Sequence, residues 1–274
     1  MGTEIRTGIA AVDGAELYYE MRGSGPTLLF VSGATGDAGH WSAAADLLAD
    51  EYTVLTYDRR GNSRSPRPPG WTHAPVDEQA DDAAGLLAAL GLAPAIGYGN
   101  SQGALILTSL VLRHADALSS AVFHEPPYPH AVGADHATAA LQSMVGDAMA
   151  RGGPRLATEE FLRWVAGDAT FEALDPATRD RMLGNGEVLF GMEIPAISDY
   201  LPQPQELAAV RTRCVVTAGA EHTDPASPFH WFHAAAQWLA AGLGAPFAEL
   251  PGGHMPQLTC PDEFVAALRQ ILSR

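Results

Sequence analysis

Gly99-Asn100-Ser101-Gln102-Gly103 joins two apolar runs, PAIGY before it and ALILTSLVL after it. The first run is short, as a buried strand is; the second has the length and residue types of a helix. A strand can pass into a helix through a serine flanked by glycines at −2 and +2 only by a sharp turn. The serine then takes a strained backbone conformation, and its neighbours must lack a Cβ to avoid collision. Such a turn lifts one hydroxyl above the end of a sheet and sets a helix N-terminus beneath it. It therefore demands a sheet for the strand and helices to cover that sheet.

The rest of the chain meets this demand. EIRTGIAAV and AELYYEMR read as strands joined at Asp13-Gly14, a hairpin signal. TLLFVSG and YTVLTYD are unbroken apolar runs, the mark of strands buried on both faces. Helical patterns separate and follow them in HWSAAADLLADE, VDEQADDAAGLLAALGL and, after Ser101, ALILTSLVLRHAD; LSSAVFHEPP then reads as a strand closed by two prolines. Strand and helix alternate again from CVVTAGA through FHWFHAAAQWLAAGL and PFAELPGG to DEFVAALRQILSR. This order predicts an α/β fold with a mostly parallel sheet flanked by helices.

The rhythm changes between these two stretches. Residues 128–205 carry helical pieces separated by proline and glycine, with no strand run. They are expected to form a helical lid inserted into a core domain made of residues 1–127 and 206–274.

Composition narrows the partners. Hydrophobic residues make up 47% of the 274-residue chain, enough for a sizeable core, and charged ones only 18%, too few for a disordered chain. The formal charge of −16 disfavours nucleic acid and anionic membranes. No apolar run approaches the ~18 residues of a spanning helix, and MGTEIRTGIA lacks the basic start of a secretory signal. A cytoplasmic protein is expected, monomeric or homodimeric, acting on a small molecule. Cys214 and Cys260 lie far apart and form no metal pattern, so both read as buried thiols; no metal and no cofactor is expected.

A serine hydroxyl is a poor nucleophile until a base takes its proton. His254, in ELPGGHMPQL, follows the last strand on a glycine loop and precedes the last helix, where its ring can reach the end of the sheet that carries Ser101. With LLFVSGATG (28–36), YDRRGNSRSP (57–66), GNSQG (99–103) and PGGHMPQLTCPDEF (251–264) in this order, the chain resembles an α/β-hydrolase fold enzyme. The resemblance covers residues 1–127 and 206–274. It implies an eight-stranded sheet, a nucleophile elbow at Ser101, a Ser-His-acid triad, and an oxyanion hole from the backbone N–H groups of Ala34 and Gln102. One departure stands out: the family often has His-Gly before the oxyanion loop, and here it is Ser32-Gly33. Asp58, Arg59 and Arg60 read as organisers of the turn after a strand.

The triad acid has two candidates. The common family slot, G-x-x-D after CVVTAGA, holds His222, with Glu221 before it and Asp224 two residues after it. The other family position follows the sixth strand, where AVFHEPP places Glu125. A glutamate at an apolar strand end is costly without a partner, which ranks Glu125 ahead of Asp224.

Pocket residues are expected from His40 and Trp41 after the oxyanion loop, and from His124 and Trp164. Tyr128 and His130 lie near the start of the lid, whose Phe161, Val165, Phe171, Leu189, Phe190 and Met192 make it apolar. The expected function is a serine hydrolase cleaving a small to medium, largely uncharged ester or lactone. The same scaffold also hosts C–C hydrolases, cofactor-free oxygenases, perhydrolases and cyclases, and a non-catalytic receptor is the alternative outside enzymes.

Overall fold

A computed structural model describes residues 4–198 and 200–273. Eight strands form one sheet: β1 Ile5–Val12, β2 Ala15–Arg22, β3 Thr27–Val31, β4 Thr53–Tyr57, β5 Ala95–Asn100, β6 Leu118–His124, β7 Arg213–Gly219 and β8 Phe247–Leu250. Their order is β1-β2-β4-β3-β5-β6-β7-β8. β1 and β2 pair antiparallel across the Asp13-Gly14 turn, with Val12 opposite Ala15, and β2 also runs antiparallel to β4. From β4 to β8 every pairing is parallel. All the parallel strands therefore deliver their C-terminal ends to one edge, where ligands bind in open α/β sheets.

Side-chain alternation in β3 divides the core. Leu28 and Phe30 face one layer, where α1 (Ser42–Leu48) and the C-terminal helix pack with Trp41, Val54, Tyr98 and Phe264. Leu29 and Val31 face the other, under α2 (Val76–Leu90) and α3 (Gln102–Arg113). Burial on both faces explains why these strands are uniformly apolar.

The chain between β6 and β7 is helical. α4 (Asp135–Ala166) is one span broken at Gly153-Pro154, where Gly153 takes φ 70° and the proline removes a helical donor. Short helices follow: α5 (Asp168–Ala173), α6 (Pro176–Gly184), α7 (Gly186–Val188), a π-helical turn over Leu189–Glu193, α8 (Ile194–Ile197) and α9 (Pro204–Ala209). Leu162, Phe171, Met182 and Leu183 pack on Met255, beyond β8, and this cluster seats the segment above the C-terminal edge of the sheet. The chain closes with α10 (His230–Leu243), α11 (Pro256–Thr259) and α12 (Pro261–Leu272). Among the described residues no helix is long and apolar enough to cross a membrane. Cys214 is buried as expected, whereas Cys260, at the junction of α11 and α12, is half-exposed.

Candidate active site

Ser101 stands between β5 and α3 with φ 55° and ψ −126°, outside the regions open to most residues. The geometry forces the glycines. A Cβ on Gly99 would lie 2.4 Å from Gly103 O, and one on Gly103 would lie 2.1 Å from Val31 O. The Ser101 amide donates to His124 O at 2.9 Å, tying the turn to β6. Asn100 reaches the other way: its Nδ2 donates to His254 O at 2.7 Å and so fixes the loop that carries the histidine.

Glu125 follows β6 with φ 48° and is fully buried. Its Oε2 accepts from His254 Nδ1 at 2.7 Å. Its Oε1 accepts two more donors, Gly219 N at 2.8 Å and His222 Nδ1 at 2.7 Å. Burial alone would push this carboxyl up, but the hydrogen bonds from His222 and His254 outweigh it and hold the group well below the usual carboxylate range. A carboxylate only accepts, so each imidazole must present an N–H to it, which leaves His254 Nε2 free to take a proton. Phe232 covers the His254 ring with centroids 4.2 Å apart, and Phe229 stacks on His222 at 5.1 Å.

Gly33, Ala34, His40, Ser101 and His254 share one cavity, closed above by Phe161, Leu162 and Val165 of α4 and by Met255. Its free volume is about 10 Å³, close to the least that holds one water. Among the described residues the amides of Ala34 and Gln102 have no hydrogen-bond partner, and Gln102 is the first residue of α3, where helical amides stay unpaired.

Other expected site residues lie elsewhere. Asp224 is exposed, and its carboxylate accepts the Ala226 amide at 2.9 Å, whereas His254 Nδ1 donates to Glu125. Trp41 is buried in the core, its indole donating to Ser32 Oγ at 2.8 Å, so it does not line the cavity.

His124 is also enclosed: Nε2 donates to Gly253 O at 3.1 Å, and Nδ1 lies 3.0 Å from the Thr217 hydroxyl. Trp164 turns away from Ser101 and lines a separate outer cavity of about 490 Å³, packing on Phe229 at 4.8 Å. Tyr128 is buried against Trp238, and His130 is bonded to Asp135 at 2.6 Å. His222, which donates to Glu125, and Asn100, which holds the His254 backbone, carry no local sequence signal for these tasks.

Two buried imidazoles make the fold sensitive to acid. Burial and the charge of Arg59 push His40 down to about 3, and burial pushes His124 down to about 4, against the pull of Glu125. Unfolded, both titrate near ~6.5. Below that value the unfolded chain binds protons that the folded chain refuses, so stability falls as pH drops and is restored above it. The urea midpoint is expected to fall from about pH 7 to about pH 5, before most carboxylates titrate, with a flatter slope in His124→Asn. A midpoint constant over that interval would contradict the burial of neutral imidazoles.

The model of the alpha/beta hydrolase family matches residues 28–267. An uncharacterized hydrolase, YraK, of Bacillus subtilis (strain 168) is 31% identical over 273 residues, 98% of this chain and 97% of that protein. A thermophilic esterase from Thermogutta terrifontis superposes with a TM-score of 0.74 at 23% identity, covering 98% of both chains. The enol-lactonase from Burkholderia xenovorans LB400 does so with a TM-score of 0.76 at 22% identity, over 97% of this chain and all of that one (100%).

Proposed function

The chain belongs to the alpha/beta hydrolase family, and from that premise we propose that it cleaves uncharged esters or lactones through an acyl-enzyme on Ser101. The observation that carries this reading is the pairing of His254, which shares one cavity with Ser101, with the fully buried carboxyl of Glu125 at 2.7 Å.

Ser101 Oγ attacks the carbonyl carbon while His254 Nε2 takes its proton. Glu125 keeps the other proton on Nδ1 and stabilises the imidazolium. The carbonyl oxygen becomes an oxyanion held by the N–H groups of Ala34 and Gln102. When the tetrahedral adduct collapses, His254 protonates the departing alkoxide. Water then enters, His254 removes its proton, and attack on the acyl-enzyme frees the acid and Ser101. The Ser101–His254 hydrogen bond is the contact that bound substrate completes.

The substrate class follows from the walls. Phe161, Leu162, Val165 and Met255 are apolar, and among the described residues no acidic or permanently cationic side chain lines the cavity. An anionic acyl group would lose its hydration there without gaining a partner. With about 10 Å³ free, substrate enters only when the covering helix or its side chains move, so residues 128–205 act as a lid. The esterase and the enol-lactonase that share the fold support a carbonyl-ester substrate.

Nitrophenyl butyrate and the nitrophenyl half-ester of succinate test this choice at matched length. The neutral ester is expected to show at least ~10-fold the kcat/KM of the anionic one, a difference of about 1.4 kcal/mol or more. Equal turnover, or preference for the half-ester, would contradict it.

A further inference from the structure

Arg59, in the YDRRGNSRSP stretch, is buried beside the loop that follows β3. Its Nη1 donates to Gln79 Oε1 and to Glu193 Oε1, each at 2.5 Å. Its Nη2 donates to Glu193 Oε2 at 3.3 Å and to Gly33 O at 3.1 Å. Glu193 is equally buried and ends the π-helical turn of the segment between β6 and β7. Asn62 Nδ2 adds a donor to the same carboxylate at 3.2 Å.

Gly33 O belongs to the peptide that joins Gly33 to Ala34. In a trans peptide the C=O and N–H lie in one plane and point in opposite directions. A guanidinium that takes the carbonyl on one side therefore aims the Ala34 N–H to the other. That other side is the cavity of Ser101: both residues line it, and a Cβ on Gly33 would lie 3.1 Å from Ser101 Cβ. We infer that Arg59 is a positioning residue that fixes and polarises the oxyanion-binding peptide, and that Glu193 holds Arg59 in place from the helical segment. The inference rests on the serine mechanism proposed above.

Hydrogen-bond demand alone does not require a cation here. Gly33 O already accepts the Gly36 amide at 3.2 Å. Burying a full charge is costly, and a neutral donor would satisfy a carbonyl at lower cost. What the guanidinium adds is its field along the peptide, which makes the opposite N–H a stronger donor to a developing negative charge. The same segment grips the loop at two more points. Arg181 of α6 forms an ion pair with Asp37, and Asn185 Nδ2 donates to Thr35 O at 2.9 Å.

The test replaces the buried pair by apolar residues of similar length, Arg59→Met with Glu193→Met, an exchange that proteins often accept without loss of stability. Two probes are used on the folded variant: nitrophenyl butyrate, and an aryl trifluoromethyl ketone, whose adduct with Ser101 places a full oxyanion at the Ala34 and Gln102 amides. Loss of one oxyanion donor elsewhere costs ~100-fold or more, so a misaimed donor is expected to lower kcat/KM at least ~30-fold. The ketone Ki is expected to rise by the same factor, with inhibition by the leaving group nitrophenol, which carries no acyl oxygen, changed less than ~2-fold.

Arg59→Lys keeps the charge but cannot span Glu193 and Gly33 O as a fork does. It is expected to weaken the ketone at least ~5-fold, and it decides the matter if the double variant does not fold. Ketone affinity within ~2-fold of wild type, in whichever variant folds, would overturn the inference and assign Arg59 to packing. A wild type that the ketone does not inhibit would overturn the serine mechanism, and this inference with it.

Discussion

Ser101→Ala is expected to lower the turnover of nitrophenyl butyrate by at least ~10⁴-fold while leaving the thermal midpoint within a few degrees of wild type. The size follows from the division of labour in triads, where loss of the nucleophile leaves only the catalysis that binding and oxyanion donors supply. The stability forecast follows from the local geometry. Alanine keeps the Cβ in the same tight space, so the strained turn is neither relieved nor worsened. Circular dichroism establishes the fold and an ester assay the loss. A folded variant retaining a tenth of the activity would remove Ser101 from the reaction.

Glu125→Gln is expected to cost at least ~10³-fold, and Asp224→Asn less than ~2-fold. The carboxylate receives three donors, two at Oε1 and His254 Nδ1 at Oε2. An amide offers one oxygen and one NH₂. With its oxygen toward Gly219 and His222, the NH₂ faces His254 Nδ1, which must then give up its proton. The proton moves to Nε2, the nitrogen that has to accept from serine. Asp224, by contrast, only caps an exposed turn through the Ala226 amide. Assays at matched thermal stability decide the ranking. A larger loss at Asp224 than at Glu125 would transfer the acid to the loop after β7.

How far the sequence reveals this site depends on whether the signal is local. The elbow is legible because two steric collisions, Gly99 with Gly103 and Gly103 with Val31, leave glycine no substitute. His254 is legible from its loop between the last strand and the last helix. Trp41 is not legible as core because it adjoins His40: consecutive residues in a helical turn point in different directions, one into the cavity and one into the core. Trp164 differs from Phe161, Leu162 and Val165 for the same reason, lying off the helix face those three share.

Long-range pairing is the part that stays hidden. Glu193 looks like any helical glutamate, and its partner Arg59 lies in another part of the chain. His222 occupies the slot where a triad acid commonly sits, yet nothing local shows that it donates to Glu125 from the far side. Both depend on which strand ends meet at one edge of the sheet, and that is set by strand order rather than by neighbouring residues.

Labelling with a fluorophosphonate, followed by mass spectrometry of the digested protein, tests the acyl-enzyme most directly. A fluorophosphonate reacts only with a serine that a base activates and whose adduct oxygen finds donors. One phosphonyl group per chain is expected, on the peptide containing Ser101, with loss of ester turnover in proportion to labelling and no adduct in Ser101→Ala. An unlabelled protein that still hydrolyses esters, or an adduct on any other residue, would contradict nucleophilic catalysis by Ser101.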